Sequence, residues 1–103
     1  MTYVDALVAL ADPTRRGIFE ALRERAMTVT ELAQSQPVSR PAVSQHLKIL
    51  EGARLVAAES RGSFRLYSIR RDGLEELRNY LDSFWSDVLG AYGDHLAALN
   101  KGN

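Results

Sequence analysis

The chain contains no cysteine among its 103 residues. That absence excludes disulfides, thiolate-held metals, iron–sulfur clusters and cysteine nucleophiles together. No apolar run approaches the roughly 18 residues that a membrane-spanning helix needs. The opening MTYVDALVALADPTRR sets no basic segment ahead of a short apolar stretch, and Asp5 interrupts that stretch. No signal peptide and no membrane partner are expected, and the expected location is the cytoplasm. Repeats, low-complexity tracts and linkers are absent too. So are a readable Ser/His/Asp order, a glycine-rich phosphate loop, paired carboxylates in an apolar cleft and a cluster of metal ligands. No enzyme and no cofactor are therefore expected.

What remains is the composition of an ordinary globular domain, 46% hydrophobic and 25% charged, which excludes wholesale disorder. The length suits one domain over residues 1–103, with a core thin enough that association would add stability. Thirteen Lys and Arg balance thirteen Asp and Glu, but they are not evenly placed. Between Pro37 and Arg71 seven basic residues meet two acidic ones, a surplus of five. From Asp72 onward two basic residues meet six acidic ones, a deficit of four. A basic middle and an acidic tail suggest one face for a polyanion and one turned away from it.

Hydrophobic spacing predicts a mainly α chain with one β-hairpin. Val4, Leu7, Leu10 and Ala11 fit a helix from Tyr3 to about Ala11. Asp12-Pro13 then ends it and begins a second, with Asp12 as N-cap and Pro13 in the first helical position; Ile18, Phe19 and Leu22 carry that helix to about Arg25. Thr28 or Thr30 caps a short third helix, Thr28 with Glu31 fitting a capping box. Ser39 caps a fourth, from Arg40 to about Gly52, that tolerates Pro41 in its first turn. The runs Leu55–Glu59 and Ser63–Ile69 read as strands around a turn at Arg61-Gly62. A long last helix runs from Asp72 to about Leu99, with Leu74, Leu77, Leu81, Phe84 and Val88 as its core row.

Chemistry concentrates on the fourth helix. At about 100° per residue, Val43, Leu47 and Leu50 form its core face. Opposite them stand Pro41, Ser44, Gln45 and Lys48, with Arg40 and Glu51 at the flank. Short hydrogen-bonding groups with cations near each end suit duplex DNA: Gln can pair with adenine, Arg with guanine, Ser with base or backbone, Lys with phosphate. An ordinary solvated polar face has the same composition. The hairpin adds Arg61 at its tip and Arg65 on its second strand, and a helix-turn-helix followed by a basic hairpin matches a winged helix. His46 lies between the core and outward faces and is a candidate backbone contact. Arg15 and Arg16 open the second helix, where cations oppose the helix dipole; they are expected to face Asp12 or Glu20, the alternative being an approach to DNA phosphate.

The stretches ALADPTRRGIFEALRER, TVTELAQSQPVSRPAVSQHLKILEGARLV and ESRGSFRLYSI, in this order and spacing, resemble the ArsR family of bacterial winged-helix repressors, especially its metal-independent SdpR-like branch. The resemblance spans about Leu7 to Trp85. It implies a winged helix-turn-helix ordered α1-α2-α3-α4-β1-β2-α5, a homodimer joined through the first and last helices, and repression from an inverted-repeat operator in double-stranded DNA. The family's DNA-contacting positions fall on Arg40, Pro41, Ser44 and Gln45, and Ser39, His46, Lys48, Arg61 and Arg65 complete the expected interface.

Members that sense soft metals carry a cysteine pair before the turn, where this chain reads Glu31-Leu32-Ala33-Gln34-Ser35. Members that sense zinc on the last helix use Asp and His from both subunits; here it offers Asp82, Asp87, Asp94 and a single His95. No metal is expected. A second apolar row at Trp85, Leu89, Tyr92, Leu96 and Leu99 exceeds what so small a core can cover. A dimer interface is expected over Val4, Leu7, Leu81, Trp85, Val88, Leu89, Tyr92 and Leu96. Two other readings stand beside the repressor: a winged-helix protein-interaction module with no DNA target, and a metal-responsive sensor. The identity of any small-molecule or protein inducer is left open.

Overall fold

The computed structural model describes residues 3–101, with side chains described over 4–93. Five helices and one hairpin follow in order: α1 (Tyr3–Ala11), α2 (Pro13–Ala21), α3 (Val29–Ser35), α4 (Arg40–Gly52), β1 (Val56–Arg61), β2 (Phe64–Ile69) and α5 (Arg71–Lys101). This is the expected winged helix order.

The core gathers Ile18, Leu22, Leu32, Val43, Leu47, Leu50, Leu55 and Val56, with Tyr67 closing it under the hairpin. Each fully buried aliphatic side chain contributes roughly 1.5–3 kcal/mol. Ala6 and Ala9 are the buried residues of α1; their small size lets that helix lie close while its larger side chains face away. Asp12 caps α2 by accepting the Arg15 N–H at 2.9 Å, and Pro13 takes the first helical position, where no N–H is required.

Three sequence expectations need correction. The second helix ends at Ala21 rather than near Arg25, tightening through Leu22 and Arg23 N–H bonds to the Phe19 and Glu20 carbonyls. The freed chain carries Met27 to the hairpin, where it exchanges backbone bonds of 2.9 and 2.8 Å with Tyr67. A helix continued through Arg25 would forfeit that pairing. The hairpin turn is Gly62-Ser63, one residue later than expected, with Arg61 paired to Phe64. Arg61 is thus the last residue of β1, and Gly62 at φ 61 supplies the positive φ needed at the first position of a two-residue loop. Finally, the core row of α5 runs out: Leu74 and Leu77 pack against the core, whereas Leu81 and Phe84 are exposed. Leu81 leaves 51% and Phe84 55% of its surface uncovered.

The end of α4 is a left-handed cap. Leu55 N–H reaches the Leu50 carbonyl and Arg54 N–H the Glu51 carbonyl, both at 3.0 Å. These are the two bonds of a Schellman motif, sealed by buried Leu50 and Leu55. The left-handed residue is Arg54, φ 61, at the position usually given to glycine. Non-glycine residues there cost roughly 1–2 kcal/mol.

Candidate nucleic-acid interface

Two caps aim the outward face of α4. Thr28 and Glu31 close a reciprocal box: Glu31 N–H donates to Thr28 Oγ1 at 3.2 Å and Thr28 N–H to Glu31 Oε1 at 3.0 Å. The Thr28 N–H and the Arg25 guanidinium hold the Glu31 carboxyl below its ordinary range. Ser39 starts α4 by accepting the Ala42 N–H at 3.3 Å; its hydroxyl proton stays available to a phosphate. Between these helices Gln36 Nε2 reaches the Gly17 carbonyl at 3.4 Å, and a Cβ on Gly17 would lie 2.8 Å from Gln36 Oε1. The turn is therefore held against α2.

With Val43, Leu47 and Leu50 buried, Arg40, Pro41, Gln45 and Lys48 stand in solvent and Ser44 is half-buried. Arg40 and Lys48 have no hydrogen bond or ion pair among the described residues. On the wing, Arg61 pairs with Glu59 at 3.3 Å. Arg65 lies 4.0 Å from Glu51 and 5.7 Å above the Tyr67 ring. Both wing cations are exposed, so these pairs are weak and exchangeable. An open groove of about 430 Å³ separates helix from wing; Ser44, Lys48, Phe64 and Arg65 form part of its walls. A second, of about 460 Å³, lies between Thr30, Arg40, Pro41 and Ser44.

His46 is half-buried and turned toward α2, its Nδ1 3.4 Å from Arg15 Nη1. Arg15 and Arg16 do not rely on the Asp12 or Glu20 side chains. Arg15 donates to the Ala9 and Val8 carbonyls at 2.6 and 3.2 Å, and Arg16 to the Leu10 carbonyl at 3.0 Å. They close the C-terminus of α1, where cations complement the helix dipole. The Asp12 carboxyl is held low, chiefly by the Arg15 backbone N–H.

Sequence reasoning did not single out Thr28 and Thr30 as walls of these grooves, nor the exposed Ile49 and Phe64. The threonines were legible only as helix caps. Ile49 could have been found from the helical wheel, because it lies outward one turn beyond Gln45.

The expected association surface is open in the protomer: Val4, Leu7, Leu81, Trp85, Leu89 and Tyr92 are exposed and Val88 is half-buried. Trp85 leaves 58% of its surface uncovered. The side chains of Leu96, Leu99, Asp94 and His95 lie outside the described residues. Among the described residues no group of three or more His, Cys, Asp or Glu could hold a metal ion, and no helix is long and apolar enough to cross a membrane.

Comparison with known proteins points to regulators. Residues 12–58 match the family described as bacterial regulatory protein, arsR family. The HTH-type transcriptional regulator Rv2034 of Mycobacterium tuberculosis is 52% identical over 82% of this chain and 78% of its own. The transcriptional repressor SdpR of Bacillus subtilis is 34% identical over 74% of this chain and 84% of its own. A crystal structure of a possible transcriptional regulator for arsenical resistance superposes with a TM-score of 0.73 at 44% identity, covering 91% of this chain and 94% of that one.

Proposed function

The chain belongs to the ArsR family of bacterial regulatory proteins, which are DNA-binding transcriptional regulators, and from that membership we propose that it is a metal-independent repressor. Two copies bind an inverted repeat in double-stranded DNA. The outward face of α4 enters the major groove, Arg40, Ser44 and Gln45 on base edges, Ser39 and Lys48 on phosphate. Arg61 and Arg65 hold the adjacent backbone. Pro41 shapes the start of the reading helix, and His46 meets the backbone at its edge. The exposed rows of α1 and α5 join the two copies about a two-fold axis that matches the repeat. The protein acts in the cytoplasm, on the chromosome, and by occupancy rather than catalysis.

The observation that carries this reading is the α4 face, where Arg40 and Lys48 stand without partners among the described residues beside a wing whose arginines are only weakly held. Fluorescence anisotropy with a duplex from upstream of the protein's own gene and with a scrambled duplex, across salt concentrations and with zinc or chelator, tests it. A preference of about a thousandfold, steep in salt and indifferent to zinc, is the expected result. Equal weak binding to that duplex and to any duplex enriched from random DNA would refute it in favour of a protein-interaction module. A zinc response would restore the metal sensor.

A further inference from the structure

The turn that ends α4 is also the seat of α5. Arg54 holds a left-handed conformation, φ 61, that glycine adopts more readily. Its guanidinium crosses to the first turns of α5, with Nη2 2.6 Å from Asp72 Oδ2 and Nη1 3.5 Å from Glu76 Oε1. Arg70 meets the same Asp72 oxygen at 2.9 Å. Glu76 Oε2 is buried with no hydrogen-bond partner among the described residues, while its Oε1 faces Arg54. The backbones are locked as well. Gly73 N–H donates to the Arg54 carbonyl at 2.8 Å, and a Cβ on Gly73 would stand 2.5 Å from the Ala53 carbonyl oxygen and 2.8 Å from that of Arg54.

A glycine would make the cap with less strain but could not reach α5. We propose that Arg54 is a positioning residue for operator reading: a strut that locks the dimer-forming helix to the end of the DNA-reading helix and so sets the distance and angle between the two reading helices. The proposal rests on the dimeric-operator reading above. Successive base pairs turn by roughly 35°, so a dimer with a fixed angle accepts one spacing of half-sites and a loose dimer accepts several.

Arg54→Asn tests this, because asparagine tolerates the left-handed backbone while its short carboxamide replaces the guanidinium and the stem that carries it to α5. The full chain would be used to enrich a duplex from random DNA, and that duplex remade with its centre one base pair longer or shorter. Wild type is expected to prefer its own spacing by about tenfold or more, and Arg54→Asn to fall within about threefold while remaining a folded dimer. Arg54→Gly is expected to unfold at the same or a higher temperature and still lose the spacing preference; a merely stabilising residue would move both together. Because the chain has no cysteine, a spin label on Gln45→Cys reports the distance between reading helices without DNA. That distribution should broaden or shift in Arg54→Asn. An unchanged distribution with an unchanged spacing preference would overturn the strut. If wild type enriched no duplex, the operator reading would fall, and the label distances would still decide whether Arg54 sets the angle.

Discussion

In the proposed complex Arg40 and Gln45 work differently from Lys48 and Arg65. The first two stand on the first half of α4, where they would reach base edges; the others line the groove beside the wing, where phosphate would pass. Arg40→Ala or Gln45→Ala should cost about 1–3 kcal/mol on the preferred duplex and level its advantage over scrambled DNA. Lys48→Ala and Arg65→Ala should weaken both duplexes alike and each reduce the salt slope by about 1. Anisotropy titrations at four salt concentrations separate the two behaviours. Carboxylates give a second expectation. Asp12, Glu31 and Asp72 are all held below their ordinary range, Asp72 chiefly by the Arg54 guanidinium. A depressed carboxyl contributes stability that is complete above its unfolded value near 4 and is lost as pH falls through the folded value. The unfolding midpoint should therefore lose these contributions only below about pH 4, which thermal melts across pH 3–8 would show.

Among the elements, α3 is the one most dependent on its cap. Seven residues are too few for a helix to persist on its own, and Val29–Ser35 is held by the Thr28–Glu31 box and the burial of Leu32. Thr28→Ala should cost about 1 kcal/mol in urea unfolding and weaken operator binding, since Thr28 and Thr30 also wall the grooves beside α4. The caps were legible because they are local: Asp12, Thr28 and Ser39 each act within three residues of themselves. The end of α2 was not legible, because it is set by Met27 pairing with Tyr67, forty positions away. The last element is interrupted as well, with Tyr92 at φ −127 inside α5; the apolar spacing runs through that point unbroken.

The molecule as a whole is extended. Its radius of gyration is 17.4 Å, against roughly 13 Å for a compact chain of this length. The excess lies in α5, 31 residues and so about 46 Å measured along its path through the break at Tyr92, which carries Leu81, Phe84, Trp85, Leu89 and Tyr92 into solvent. In the proposed dimer a second copy covers that stripe. Leu89→Glu should split the dimer, with the mass halved in sedimentation and operator binding lost, while each protomer keeps its helical signal. Trp85 is the single tryptophan, so its emission should shift to the red as wild type is diluted through the dissociation range. Emission and mass that ignore both dilution and Leu89→Glu would exclude this surface as the interface.

By itself the sequence determined what local spacing can write: the order of the elements, the starts of four helices, the core face of α4 and the polar face opposite it. These follow from helical periodicity and from capping groups that act within one turn. Tertiary structure alone decided the rest, because each remaining outcome depends on residues far apart in the chain. It turned Arg15 and Arg16 onto the last carbonyls of α1, drew Met27 to the wing and ended the core row of α5 at Leu77. It also placed Arg54 against Asp72 and Glu76. A side chain's spacing shows which face it occupies, but its partners depend on what the fold brings to that face.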